Sequence, residues 1–426
     1  MTGALFSIVL LLTLLVFGVP MLVSLTIAVV VSFFLSGQWT IILPQSIISG
    51  VSTFTLVALP LFIVSGLVMN AGGISGRLFD FARSLVGWMR GGLAQVNVLT
   101  SIFFGGMIGS STADLAGSGS ILIPQMKKEG YPPEIAAAVS ASSSGIGPLI
   151  PPSSPAILYS AVTGTSLGAL FLAGFIPGLL LGGLFMAQVA YLAHRRGWHR
   201  YSRFSWLEVW RTGLRAILAF GMPAIIIGGL VLGIFTPSEG GAFGAVYAVV
   251  LSAFIYRTLS WRDLFRVLAA AVQLTGELLL IVGLSFALGT SLSSAHVPDA
   301  LASVIDMMTI GESTYMRLLT LMILAIIAGM FLDPLIPVLV PVILPALIAF
   351  QIDLIHFGVL MVIAVVIGQL TPPMAIALII TSRIAEVDMI KVMNANWPFF
   401  IAIILFMFIL IGVPELATWL PAQMRD

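Results

Sequence analysis

Long apolar runs free of Asp, Glu, Lys and Arg set the pattern of this chain: Met1–Gly76, Ile135–His194, Ala216–Ser238 and Leu354–Ser382. Several exceed the ~20 residues that carry a helix across the hydrocarbon core of a bilayer. The pattern predicts an all-α integral membrane protein. Met1–Leu35 reads as the first membrane helix, kinked at Gly18-Val19-Pro20. No basic residues precede it, so a cleavable signal is not expected. Two further runs are interrupted midway. Gly92–Met126 holds Gly105-Gly106-Met107-Ile108-Gly109-Ser110-Ser111-Thr112-Ala113-Asp114, and Leu318–Phe350 holds Gly329-Met330-Phe331-Leu332-Asp333-Pro334. Ahead of each lies an amphipathic stretch. In Ile74–Met89, Ile74, Leu78, Phe81, Leu85 and Trp88 oppose Arg77, Asp80 and Ser84; in Pro298–Thr309, Leu301, Val304, Ile305 and Met308 oppose Asp299, Ser303 and Asp306. Both read as interface helices.

Charge turns these segments into a topology. Charged residues make up 8% of the chain against 59% apolar, so no stretch has the composition of a soluble domain. Basic residues mark the cytoplasmic side. The densest zone is 195–215, with Arg195, Arg196, Arg200, Arg203, Arg211 and Arg215 interleaved with Trp198, Trp206 and Trp210. It reads as a cytoplasmic loop with an interfacial aromatic helix. Arg77–Arg90, Lys127-Lys128, Arg257–Arg266 and Arg383–Lys391 mark the same side, while Thr163–Ser166, Thr236–Ser238 and His296–Asp299 face outward. The segment between Arg90 and Lys127 must then enter and leave on one face, as a re-entrant hairpin. Such backbone is tolerated at membrane depth only inside protein or beside a cavity. The interrupted segment Leu318–Phe350 repeats this from the opposite face.

The two halves also agree in register. Pro124 precedes Pro151 by 27 residues and Pro345 precedes Pro372 by 27, while Gly147 and Gly368 are 221 apart, as are Pro124 and Pro345. Broken segments at matching positions in two halves point to an inverted-repeat transporter. The first repeat is expected over 1–215, with a hairpin at about 92–128, a broken helix at about 133–161 and the basic loop 195–215. The second half, 216–426, is expected to hold a connecting helix, a hairpin at about 316–350 and a broken helix at about 355–382.

A broken helix exposes N–H groups that attract anions and carbonyls that bind cations. Ser110, Ser111, Thr112, Ser153, Ser154 and Thr371 add neutral oxygens, which suit Na⁺; a Ca²⁺ cage wants several carboxylates. Asp333 is either a functional group or a cap for the hairpin tip, and Asp114 reads as a cap of the returning arm. Glu239 is expected to cap the helix after Thr236-Pro237-Ser238. Glu277 is deeper and is expected to make a structural hydrogen bond. His194, His199, His296 and His356 fall near membrane edges without metal-ligand spacing. There is no cysteine, which excludes thiolate sites. The lysines are Lys127, Lys128 and Lys391; none follows glycine, so there is no P-loop. No His-Glu-x-x-His, Gly-x-Ser-x-Gly or Gly-x-Gly-Asp is present, so protease chemistry has no visible carrier. The scattered basic residues do not suggest nucleic acid. An ion-coupled carrier is the remaining class, with an anion channel as the rival.

The run Gly109–Asp114 through Ile121-Leu122-Ile123-Pro124, then Gly130-Tyr131 and Ile146–Ser153, resembles the large membrane subunit of TRAP (tripartite ATP-independent periplasmic) transporters. Pro60–Gly66, Gly233–Glu239, Gly329–Pro334 and Gly368–Pro373 fit the same family. The resemblance implies a multi-pass carrier of a bacterial or archaeal inner membrane, N-terminus cytoplasmic and C-terminus periplasmic. It implies a separate small membrane subunit, a periplasmic binding protein that delivers an organic acid, uptake driven by Na⁺, and an elevator mechanism. A stand-alone permease or antiporter of related architecture is the alternative. The substrate's anionic group is expected between Ser110/Ser111 and Ser153/Ser154, with Asp333 on its other polar groups. Na⁺ is expected at Ser110, Ser111, Gly145 and Gly147, and again at Gly329, Gly368, Thr371 and Met374, where glycine and methionine give main-chain carbonyls. No other metal and no cofactor are expected. The apolar residues after Pro334 depart from the family pattern and favour backbone ligands at the second hairpin. Dicarboxylates, sialic acid, sugar acids, keto acids and ectoine-like zwitterions all remain open as substrates.

Overall fold

The computed structural model describes residues 2–37, 41–198, 200–308 and 313–423, and every regular element among them is helical. His199 and Thr309 lie outside the described residues. Among the described residues, six helices are long and apolar enough to cross a membrane: Phe54–Ala71, Leu167–Arg196, Trp206–Leu230, Pro237–Ile255, Trp261–Ser294 and Met389–Gly412. The helices that carry the candidate site are shorter.

Two expectations fail at the level of local geometry. Met1–Leu35 is not one kinked helix. Thr2–Val16 and Met21–Ser36 are separate helices, and Gly18 between them has φ +77°. A Cβ on Gly3 would lie 3.2 Å from the Cβ of Leu35, so the chain doubles back and the two helices pack side by side. The left-handed glycine turns the chain and Pro20 stops the ladder from continuing. At 15 and 16 residues, each helix is about 22–24 Å long, short of a ~30 Å core. The basic loop is also shorter than 195–215. Leu167–Arg196 carries the first part, and Trp206 already opens the 26-residue helix Trp206–Val231. Ser205 caps that helix by accepting from Glu208 N at 3.4 Å. The exposed Trp206 and Trp210 are therefore the first turns of a spanning helix rather than a separate interfacial one.

The two interrupted segments fold as helical hairpins. Gly92–Ile108 runs out and turns at Gly109-Ser110. The chain returns through Ser111–Asp114, a π turn at Leu115–Gly119, and Ser120–Lys128. Tyr201 touches both ends: a Cβ on Gly92 would lie 2.8 Å from its Cβ, and Gln125 Nε2 donates to its hydroxyl at 2.9 Å. The second hairpin pairs Thr314–Gly329 with Leu335–Ala349, and Arg317 near its start lies 4.6 Å over the ring of Phe350 just past its end.

The base of the first hairpin sits beside the final half of the second broken helix, and the final half of the first broken helix touches Leu354, which opens the second broken helix just after the second hairpin. Lys127 Nζ donates to the carbonyl of Ala385 at 2.7 Å, and the Tyr159 hydroxyl donates to the carbonyl of Leu354 at 2.8 Å. The broken helices cross where a Cβ on Gly145 would overlap Val366. These two positions are 221 apart (366 − 145), the offset that relates Gly147 to Gly368. The amphipathic helices Ile74–Val86 and Val297–Met308 lie ahead of the hairpins. Arg77 stacks 3.6 Å over the ring of Tyr256, and Asp306 pairs with Arg317 at 3.0 Å.

Candidate functional site

The first break separates Pro133–Ser144 from Ser154–Thr163. Gly and Pro dominate the residues between, since neither holds a regular helix well. Ser154 N donates to the carbonyl of Gly109 at the hairpin tip, 3.2 Å away. Gly109 has φ +61°, and a Cβ there would overlap the carbonyl oxygen of Pro152. Only glycine lets the tip close on the break. Ser110 then runs extended, at φ −141° and ψ 127°, with its hydroxyl 3.1 Å from that of Thr112. The Ser111 hydroxyl is buried and has no partner among the described residues. A Cβ on Gly147 would lie 3.9 Å from the carbonyl carbon of Ser110. Ser110, Ser111, Gly147 and Ser154 are thus brought together.

The Ser153 hydroxyl has another occupation, and the α-carbon of Gly145 is packed. The Ser153 hydroxyl accepts from Ala156 N at 3.2 Å and donates to the Pro148 carbonyl, capping the helix that follows. Gly145 faces Val366. Ser154 N is used at the tip, Pro155 has no N–H, and Ala156 N is used by the cap. The first-turn donors are therefore taken, and an anion here would rest on hydroxyls and on the helix dipole.

The second break separates Leu354–Gln369 from Ile376–Ala385. Again the main chain closes it on its hairpin: Met374 N donates to the carbonyl of Met330 at 3.3 Å, and a Cβ on Gly368 would overlap the main chain of Gly329. Gly329, Asp333, Gly368, Gln369 and Met374 line a cavity of about 10 Å³, the room of one water or ion. Asp333 Oδ2 accepts from Gln369 Nε2 at 3.5 Å. Asp333 is not a cap, because the N-cap of Leu335–Ala349 is Pro334 and no side chain caps it. The Thr371 hydroxyl donates to the Ile367 carbonyl at 2.6 Å, which leaves its oxygen lone pairs open.

Three acids outside the second hairpin resolve differently from one another. Asp114 does not cap the returning arm. Its Oδ1 accepts from Ser118 at 2.6 Å, while Oδ2 is buried without a partner among the described residues. Asp114 has helical φ and ψ inside the continuous arm, where Leu115 N already bonds to the carbonyls of Ser111 and Thr112, so the carboxylate turns to the Ser118 hydroxyl. Glu239 does cap: Thr236 N donates to its Oε2 at 2.7 Å, closing a capping box. Glu277 makes no structural hydrogen bond among the described residues, because its side chain points out of the fold.

A polar network links the first hairpin to the first broken helix. Asn97 Nδ2 donates to Ser140 at 2.6 Å, Ser143 donates to Asn97 Oδ1 at 3.2 Å, and Ser101 donates to Ser143 at 3.1 Å. Ser142 also donates to Asn396. Sequence reasoning passed over these residues. The available signal was the hydroxyl run Ser140–Ser144 inside an uncharged segment, with Asn97 and Ser101 spaced one helical turn apart. No group of three His, Cys, Asp or Glu side chains able to hold a metal occurs among the described residues.

Residues 8–416 match the family described as "Tripartite ATP-independent periplasmic transporter, DctM component". The chain belongs to this family. It is a large membrane subunit of a TRAP transporter. It is 34% identical over 379 residues to the sialic acid TRAP large permease SiaM of Vibrio cholerae, covering 88% of each chain. It is 35% identical over 398 residues to the C4-dicarboxylate large permease DctM of Pseudomonas aeruginosa, covering 91% of this chain and 93% of that one. The sialic acid permease SiaT of Haemophilus influenzae is 33% identical; the match covers 95% of this chain but 66% of SiaT. The crystal structure of the Alcanivorax borkumensis YdaH transporter shares the fold, with TM-score 0.57 at 16% identity, covering 89% of this chain and 88% of that one.

Proposed function

We propose that this large subunit carries out sodium-coupled uptake of a carboxylate-bearing small molecule. It would work beside a separate small membrane subunit and receive its substrate from a periplasmic binding protein. The observation that carries the reading is the paired closure of each break on its hairpin tip, Ser154 N to Gly109 and Met374 N to Met330. Relatives named for sialic acid and for C4-dicarboxylates support an organic acid as cargo. In this reading both hairpins are re-entrant and the two halves are inverted repeats in a bacterial inner membrane, N-terminus inside and C-terminus outside. The Asn97 network, the Lys127 bond to Ala385 and the Gly145–Val366 crossing tie hairpins and broken helices into one body. Such a body suits elevator motion against the longer helices.

The anionic group is assigned to the hydroxyls of Ser110, Ser111 and Ser154, with Ser153 as their structural support. One Na⁺ is assigned to Ser110, Ser111 and the carbonyls of Gly145 and Gly147. A second is assigned to the carbonyls of Gly329, Gly368 and Met374 and the oxygen of Thr371; Asp333, first expected on the substrate, joins this site because it lines one cavity with Gly329, Gly368 and Met374. One carboxylate among neutral oxygens in a space of one ion suits a monovalent cation better than Ca²⁺.

Two substitutions test the second site. Asp333→Asn keeps size and removes charge. A charge-assisted contact is worth about 1.5–3 kcal/mol, so the sodium concentration for half-maximal uptake should rise roughly ten- to a hundredfold. Membrane insertion and melting temperature should hold. Uptake measured against sodium in proteoliposomes reads this directly, and a wild-type curve would remove Asp333 from the cation. Thr371→Val deletes one neutral oxygen, and the same measurement should shift roughly two- to tenfold. An unshifted curve would leave Thr371 as a helix-end hydroxyl bonded only to Ile367.

A further inference from the structure

Glu277 lies near the middle of the 34-residue helix Trp261–Ser294. The nearest basic residue of that helix is Arg266, 11 positions away (277 − 266). That is about 16 Å along the axis, close to half of a ~30 Å core. With the hydrocarbon core starting near Arg266, Glu277 would fall at about mid-depth. Its side chain is exposed on the outside of the fold and has no hydrogen-bond or ion-pair partner among the described residues. Gln273, one turn earlier, is exposed on the same face. Between them a Cβ on Gly276 would meet nothing within 4 Å. Val272 and Leu280 flank this stripe, 72% and 43% exposed. The other half of the helix is packed: Ile281, Val282, Leu284 and Leu288 are buried, and the Ser291 hydroxyl meets that of Ser32 at 2.7 Å.

Exposed Val and Leu need no cover in lipid. A carboxylate at mid-depth does, because ionisable groups there are costly unless paired. An amide one turn away and a glycine between them are what two membrane helices use to approach and hydrogen-bond. A second copy of this chain does not supply the missing charge. Its described basic residues lie in links, in the amphipathic helix Ile74–Val86 or within ten residues of a helix end. The deepest, Arg215, is level with Tyr256, whose hydroxyl reaches its carbonyl at 3.1 Å just past the span Pro237–Ile255.

We infer that Gln273, Gly276 and Glu277 form the docking stripe for a membrane helix of the small subunit, which presents a basic side chain to Glu277 at mid-depth. The inference rests on the tripartite reading. The test co-expresses the full chain with a tagged small subunit and measures how much of the chain co-purifies. Glu277→Leu should lower the yield roughly three- to thirtyfold, while the melting temperature of the chain purified alone stays unchanged. Glu277→Lys should also lose binding, and an acidic substitution at the small subunit's mid-depth basic residue should restore it. Undiminished co-purification of Glu277→Leu would overturn the inference, as would a small subunit with no basic residue at mid-depth. The chain has no cysteine, so a disulfide-linked dimer of Gly276→Cys in membranes lacking the small subunit would reassign the face to a second copy. Failure of the wild-type chain to co-purify would instead bring down the tripartite reading itself, and this inference with it.

Discussion

Gly109→Ala should reduce uptake to background while the protein remains in the membrane. Gly109 holds φ +61° at the tip of the first hairpin, and a Cβ there would overlap the carbonyl oxygen of Pro152. The left-handed conformation costs a non-glycine residue about 1–2 kcal/mol. Overpacking adds about 1–3 kcal/mol. Relief requires the tip to lift off the break, which parts Ser154 N from the Gly109 carbonyl and Ser110 from Gly147. At these costs the closed tip would be disfavoured by roughly thirtyfold to several-thousandfold. Gly130→Ala is the matched control. Gly130 also has positive φ, at +84°, but a Cβ there meets nothing within 4 Å. It lies at the hairpin base, so uptake should stay close to wild type. Initial uptake rates, normalised to membrane content by immunoblot, compare the two. Equal rates for Gly109→Ala and wild type would mean that tip closure is not required.

The features legible in the sequence are those fixed by local chemistry. Uncharged runs, Gly/Pro breaks and the 221-residue offset needed no tertiary information, and Gly145 and Val366 meet at that offset in the fold. The Thr236–Glu239 capping box was equally local. What escaped depended on packing. A Gly–Pro interruption reads the same whether a helix bends or folds back, and only the contact of Gly3 with Leu35 decides between them. Adjacent serines look alike in sequence, yet Ser153 spends its hydroxyl on a cap while that of Ser154 stays free of that duty. The capping reading of Asp333 could be excluded only in the fold, where Pro334 is the N-cap and Gln369, 36 residues away, is its neighbour. Glu277 was misjudged for a related reason. Periodicity places a residue on a helix face but does not say whether that face meets protein, lipid or a partner.

The central claim is sodium-coupled, binding-protein-dependent uptake, and it carries the largest expected effect of all. The sequence carries no P-loop. A small cavity lies between Asp333 and the second break, and the chain's relatives are permeases named for sialic acid and C4-dicarboxylates. If the two closures load with Na⁺ before the body moves, sodium should gate the whole cycle. If cargo arrives only from the binding protein, the purified membrane subunits alone should be silent. The most direct measurement is accumulation of the radiolabelled carboxylate that the binding protein binds, in proteoliposomes holding the large and small subunits. The account predicts accumulation above the outside concentration only with the binding protein outside and an inward sodium gradient, and background when either is withheld or K⁺ replaces Na⁺. Uptake by the large subunit alone, or uptake that equilibrates the substrate regardless of sodium, would contradict it.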